Sequence, residues 1–258
     1  MIKSEIIELI KNNITNIGYD YDLEEKENNG AQWEFKIGGK RNKKITIYHT
    51  GKFQTQGVGF SIEEARFFNE LIKEIIETGR GKYSSENLEY IEIIGSLLKE
   101  TAEQDYFDFK VKYSGKVAKV VEELISLINN TSGRKSYLIF GIDDDKNIVG
   151  ISKDEKIDED QFNNSIAILK FGKGHIREAI QFKEVCIREK VLQIIECLEY
   201  ENVPLYLEED VKTYSIKAGR VCTRVGGTKA TAKYDELEKL WKLHFERKNK
   251  LMWYSMRI

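Results

Sequence analysis

The chain has 258 residues, with 41 Lys and Arg against 43 Asp and Glu, a formal net charge of −2. That length supplies enough apolar side chains for one large or two small cores. The charge balance excludes a whole-molecule draw toward nucleic acid or membrane, so any polyanion has to meet a local basic patch. Cys186, Cys197 and Cys222 are odd in number and show no CxxC spacing. They fit reduced, buried thiols in the cytoplasm rather than a disulfide framework. No apolar run is long enough to span a bilayer, and the N-terminus reads as an acid-containing amphipathic helix rather than a signal peptide.

Taken in order, residues 3–16 place Ile6, Ile7, Leu9, Ile10 and Ile14 at helical spacing. Residues 19–25 alternate aromatic and acidic side chains as a strand. Asn28-Asn29-Gly30 is a turn, and residues 33–37 form a second strand that Gly38-Gly39 breaks. A third strand at 44–49 leads through Thr50-Gly51 to a fourth at 53–58. Ser61-Ile-Glu-Glu64 is a capping box. It opens a helix whose Ala65, Phe68, Leu71, Ile72 and Ile75 share one face. The basic cluster Lys40, Arg41, Lys43 and Lys44 sits on a hairpin loop, where it would either meet phosphates or stand solvated.

A helix followed by a four-stranded meander and a second helix resembles one half-repeat of the TATA-binding-protein-like fold. The stretch Ile45-Thr-Ile-Tyr-His-Thr-Gly-Lys-Phe-Gln-Thr-Gln-Gly57 carries the resemblance. Such sheets bind nucleic acid or dock partners, so the likeness implies a module that helps to place substrate or partner. Gly79-Arg-Gly81 separates the halves, giving expected domains 1–81 and 82–258.

The second half begins with a helix at 85–99. Phe107-Asp108-Phe109-Lys110 is a short strand. Val117, Val120, Val121, Leu124, Ile125 and Ile128 then recur at helical spacing. Residues 137–140 read as a buried strand running into Asp143-Asp144-Asp145, with a return strand at 148–150. Further elements are expected as a helix at 158–169, strands at 181–187, 191–198, 204–207, 214–216 and 221–225, and a helix at 235–245. The fold class expected overall is α+β.

Four motifs in this half occur in a telling order. They are Glu103-x-x-x-x-Asp108-Phe-Lys110, a helix ending in Leu127-Ile-Asn-Asn130-Thr131-x-Gly133, Leu138-Ile-Phe-Gly141-Ile-Asp143-Asp144 through to Gly150, and Arg224-Val-Gly226-Gly-Thr-Lys229-Ala-Thr-Ala232. Over residues 96–234 the chain resembles the Schlafen AlbA-2 domain. Three departures stand out: Asp108 replaces the usual Glu, Arg134 follows Gly133 where a second glycine is usual, and Lys229 replaces a common arginine.

The resemblance implies a nucleic-acid-processing protein. Some members are endoribonucleases acting on structured RNA such as tRNA, with a trio of acidic residues at their site; others are presumed regulators that bind without cutting. Carried over by motif, the trio is Glu103, Asp108 and one of Asp143 or Asp144, with Glu103, Asp108 and Asp144 as metal ligands and Mg²⁺ or Mn²⁺ as the ion. The chemistry agrees, because phosphodiester cleavage needs a cation on the non-bridging oxygens and an activated water or 2′-hydroxyl. Lys110 shares a strand face with Asp108 and would balance the acids or touch the phosphate. Arg224 and Lys229 flank a glycine pair that lets backbone N–H groups approach a phosphate. Each has an ordinary alternative as a turn or an ion-pair partner.

His49, His175 and His244 stand in unrelated contexts, and no HExxH, Walker or GxGxxG pattern is present. The leading expectation is a metal-dependent endoribonuclease with RNA favoured over DNA, no membrane partner and a homodimer that supplies a second lobe. A non-catalytic nucleic-acid-binding regulator is the alternative. An interaction partner in a toxin–antitoxin or phage-defence pair is the third reading.

Overall fold

The computed structural model describes residues 4–26, 32–39, 42–101, 104–212 and 214–255. The chain divides into two compact units, residues 1–96 with 185–190, and residues 97–184 with 191–258.

The first unit is a helix, a meander and two helices. Helix α1 (Ser4–Asn16) buries Ile7, Ile10 and Ile14. Strands β1 (Tyr21–Lys26), β2 (Gln32–Ile37), β3 (Lys44–Tyr48) and β4 (Phe53–Gln56) pair antiparallel in that order. Because side chains alternate across a strand, Phe35, Ile37, Ile45 and Ile47 point together into the core. Helix α2 (Ile62–Thr78) closes that core with Phe68, Leu71, Ile72 and Ile75. Its start is fixed by the capping box: Glu64 N–H donates to Ser61 Oγ and Ser61 N–H donates to Glu64 Oε2, each at 3.0 Å. Gly79, at φ 65°, ends it in the left-handed conformation that glycine adopts without strain. Helix α3 (Ser85–Lys99) follows. On the sheet's outer side Glu34 lies between Lys26 at 2.6 Å and Lys44 at 3.3 Å. The lysines there are matched by acids rather than left as a basic surface.

The second unit is built on a βαβ crossover. Strand β5 (Phe107–Lys110) runs parallel to β6 (Ser136–Phe140), with helix α4 (Val117–Ile128) between them. Parallel neighbours need such a crossover. Strands β7 (Ile180–Ile187) and β8 (Lys190–Cys197) complete a mixed sheet of order β5-β6-β8-β7, in which β6 and β8 are antiparallel. Helix α4 buries Val120, Val121, Leu124, Ile125 and Ile128 against the sheet. Each such side chain contributes roughly 1.5–3 kcal/mol of transfer free energy. Helix α5 (Glu159–Ile166) is capped by Asp158, whose side chain accepts from Gln161 N–H at 2.9 Å. A separate hairpin pairs β9 (Cys222–Val225) with β10 (Thr228–Thr231), and helix α6 (Tyr234–Ser255) follows.

The α+β class and the helix–meander–helix order are as expected. Some short strands are not. Ile148 makes only an isolated bridge to Ile142, and Leu207 only one to Phe171. Residues 214–216 form no strand. These stretches are instead tied down by side chains. Buried Asn129 holds residue 205 with its amide, donating to Leu205 O at 2.8 Å and accepting from Leu205 N–H at 2.7 Å. Conversely, β10 and the ten residues 246–255 at the end of α6 extend regular structure beyond what the pattern suggested. No helix among the described residues is long and apolar enough to cross a membrane.

Candidate nucleic-acid interface

Edge strand β5 brings Asp108 into the interior of the second unit, beside the β9–β10 hairpin. That hairpin turns on Gly226 and Gly227, at φ 54° and 81°. Positive φ at both central residues is the type I′ geometry that matches strand twist, and glycine adopts it without a Cβ clash. The turn is anchored from β5's side, since Gly226 N–H donates to Asp105 Oδ1 at 2.7 Å.

A chain of charges joins β5, α4 and the hairpin. Arg224 Nη2 lies 3.3 Å from Asp108 Oδ1 and Arg224 Nη1 lies 2.6 Å from Glu123 Oε2. Arg224 also donates to Gly227 O within its own turn. Lys229 reaches Glu123 Oε1 at 3.0 Å and Glu122 Oε2 at 3.5 Å. Glu122 Oε1 in turn accepts from Ser215 N–H at 2.5 Å. Arg224 and Asp108 are both almost sealed from water. Charges so placed persist only when paired, because the desolvation cost of each is several kcal/mol. Lys110 shares Asp108's strand face, with its Nζ 2.6 Å from Asp108 Oδ2. The contact is ionic without hydrogen-bond alignment, and Asp108 Oδ2 has no hydrogen-bond donor among the described residues.

Over this network opens a cleft of about 390 Å³, whose charged lining is Lys110, Lys112, Lys119, Lys229, Glu122 and Glu123. Lysines outnumber acids there. Lys119 is exposed and makes no ion pair among the described residues, and Lys112 pairs only with Glu155 at 3.2 Å on the surface. Leu138 and Phe140 of β6 also line it, giving a low-dielectric wall beside the charges. A larger cleft of about 690 Å³ lies at the start of α4 between Lys116, Ile168 and Tyr214, but brings only two lysines together.

The expected site residues fall into separate places. Asp108, Lys110, Arg224 and Lys229 come together. Asp143 does other work: Asn147 N–H donates to its Oδ1 at 2.7 Å and Asn147 Nδ2 to its Oδ2 at 3.0 Å. Those two hydrogen bonds hold the Asp143 carboxyl below the usual carboxylate range. Asp144 is exposed in the same turn. In the first unit Lys43 is spent on Glu64, at 2.8 Å to each carboxylate oxygen. Glu103, Lys40 and Arg41 lie outside the described residues.

Three contributors were not foreseen. Glu122 and Glu123 organise both hairpin cations, and their signal was an acid pair in the middle of an otherwise apolar helix. Asp105 was hidden inside the ExxxxD spacing.

Mg²⁺ or Mn²⁺ prefers several carboxylate or water oxygens converging on one point. Among the described residues no group of three or more His, Cys, Asp or Glu side chains is placed to hold a metal ion. Asp108 faces two cations and Asp143 is occupied by Asn147, so the described carboxylates do not fit such an ion as they stand.

A mixed sheet around a parallel crossover, with the β9–β10 hairpin tied to its edge strand through Arg224 and Asp108, defines an α+β domain. The Schlafen AlbA_2 family model matches residues 103–233, half of the chain, and the chain belongs to that family. The match does not reach residues 1–102. A search of curated proteins found no match. Membership of this family points to a nucleic-acid-related function.

Proposed function

We propose that the protein binds RNA, in preference to DNA, by its phosphate backbone at the cleft between β5, α4 and the β9–β10 hairpin. The observation that supports this most is the convergence of Lys110, Lys112, Lys119 and Lys229 on one cleft in a chain whose net charge is −2. A local excess of cations next to apolar walls attracts phosphate where the whole molecule does not. Arg224 acts here as a positioning residue: it is buried between Asp108 and Glu123 and sets the hairpin that carries Lys229. The preference for RNA follows the family. The three buried cysteines, none in a disulfide, support a reducing compartment, the cytoplasm.

The test is fluorescence anisotropy with a structured RNA, a duplex DNA and a single-stranded DNA at two salt concentrations. Salt-dependent binding with RNA tightest is expected. Equal or absent binding to all three overturns the reading.

A second reading is metal-dependent endoribonuclease action on structured RNA. Buried Asp108 Oδ2 favours it, since among the described residues that oxygen has no hydrogen-bond donor although a lysine stands beside it. It requires Glu103 and Asp144 to join Asp108, and an ion to displace Lys110. Incubating tRNA with the protein in Mn²⁺ or EDTA checks it: cutting in Mn²⁺ alone that is lost in Glu103→Gln supports it, and intact RNA in both conditions removes it.

A further inference from the structure

The face of α6 turned away from its core carries three exposed rings. Tyr234, Trp241 and Phe245 are 79%, 48% and 57% exposed. Their spacing of seven and then four residues stacks them on one side of the helix. The rings of Trp241 and Phe245 lie 6.4 Å apart. Other side chains hold the helix to its unit. Leu240 is fully buried, His244 Nδ1 lies 2.5 Å from Glu201 O, and Arg247 Nη1 donates to Tyr200 O at 2.7 Å. The aromatic stripe is therefore not spent on folding this unit.

Charge along the stripe is segregated. Asp235 and Glu238 border it before Trp241 and Lys242 and Lys248 border it after, while exposed Lys239 and Glu246 stand farther round the helix from the rings. The four that border it are exposed, and none of them makes an ion pair among the described residues. A helix face that is acidic in its first half and basic in its second is complementary to itself when reversed. A nucleic acid stacked on the same rings would instead meet Asp235 and Glu238 with its phosphates, a like-charge contact.

We propose that this face of α6 pairs antiparallel with the same face of a second copy of the chain, about a two-fold axis near Trp241. Such an isologous contact sets each copy's Trp241 against the other's and each acidic half against the other's basic half. The rings form the dry centre and the four charges the rim that fixes direction.

Sedimentation velocity of the full chain over the micromolar to sub-millimolar range tests this. The wild type is expected to show a reversible monomer–dimer equilibrium. Trp241→Glu with Phe245→Glu should raise the dimer dissociation constant more than about tenfold, the change expected when central aromatic anchors are lost. Far-UV circular dichroism shows whether this variant keeps its fold.

Two charge variants report independently of the rings. Asp235→Lys with Glu238→Lys, and Lys242→Glu with Lys248→Glu, should each weaken self-association alone. Mixed in equal amounts they should form a heterodimer, because both reversed halves then find opposite partners. A monomeric wild type, unchanged association of the ring variant, or a mixture no better than its components overturns the proposal. Loss of RNA binding in the ring variant with its mass unchanged from wild type also overturns it and makes the stripe a nucleic-acid contact.

Discussion

Arg224 Nη2 stands 3.3 Å from Asp108 Oδ1, with the two side chains 2% and 3% exposed. The same guanidinium holds Glu123 at 2.6 Å. One cation thus serves two carboxylates from two different elements, and the β9–β10 hairpin is fixed by it. Arg224→Met takes from both acids the cation they share in a low-dielectric site, leaving Asp108 only Lys110 and Glu123 only Lys229 among the described residues. Its expected cost is about 3–5 kcal/mol, the range for breaking a buried pair from one side. Urea unfolding measures it, and Arg224→Lys should recover only part because a lysine lacks the planar fork. A loss below about 1 kcal/mol, the scale of an exposed pair, would show that the network is not buried in solution.

The hairpin turn makes a second prediction. Gly227 sits at φ 81° in a two-residue turn. Gly227→Ala should lower stability by about 1–2 kcal/mol through its left-handed conformation. It should also weaken RNA binding by displacing Lys229. Thermal unfolding and anisotropy on the same variant check the two effects together.

A third concerns pH in the first unit. Burial pushes the Glu64 carboxyl up, but Lys43, the Ser61 N–H and the Tyr19 hydroxyl outweigh it and the net shift is downward. A depressed carboxylate stabilises the fold above its unfolded pKa and loses that contribution as pH falls through the folded value. The first unit should therefore lose stability as pH drops below about 4.5, the ordinary value for a glutamate. Glu64→Gln should be less stable at neutral pH and show a flatter acid limb, read by circular dichroism across pH.

The thiols give a fourth. Cys186, Cys197 and Cys222 are buried and form no disulfide. Burial raises the Cys197 thiol far above its usual range and also raises that of Cys222. A thiol reagent should label neither in the native protein and both in denaturant.

Much of this fold is readable in the sequence because its signals are local. The Ser61-to-Glu64 spacing forms the capping box it suggests, and the apolar period of residues 117–128 becomes the buried face of α4. The end of β5 was readable in part: Asp108 and Lys110 share a face and touch. Long-range pairings were not readable. Arg224 meets Glu123 across 101 residues, and Gly226 meets Asp105 across 121. No local pattern marks such partners, so Arg224 reads as a phosphate contact until its burial is seen. Residues 204–207 and 214–216 have strand-like composition, yet tertiary side-chain bonds from Asn129 and Glu122 occupy backbone groups there that a ladder would have used.

The lysine cleft is the centre of this account, and Lys112 and Lys119 test it best because both are exposed and neither belongs to the buried network. The measurement is the salt dependence of structured-RNA binding for the wild type and for Lys112→Ala with Lys119→Ala. Each lost phosphate contact should lower the log–log salt slope by about 0.7–0.9, so the double variant should bind more weakly with a slope smaller by about 1.4–1.8 and unchanged stability. Affinity and slope equal to the wild type would contradict the assignment of this cleft.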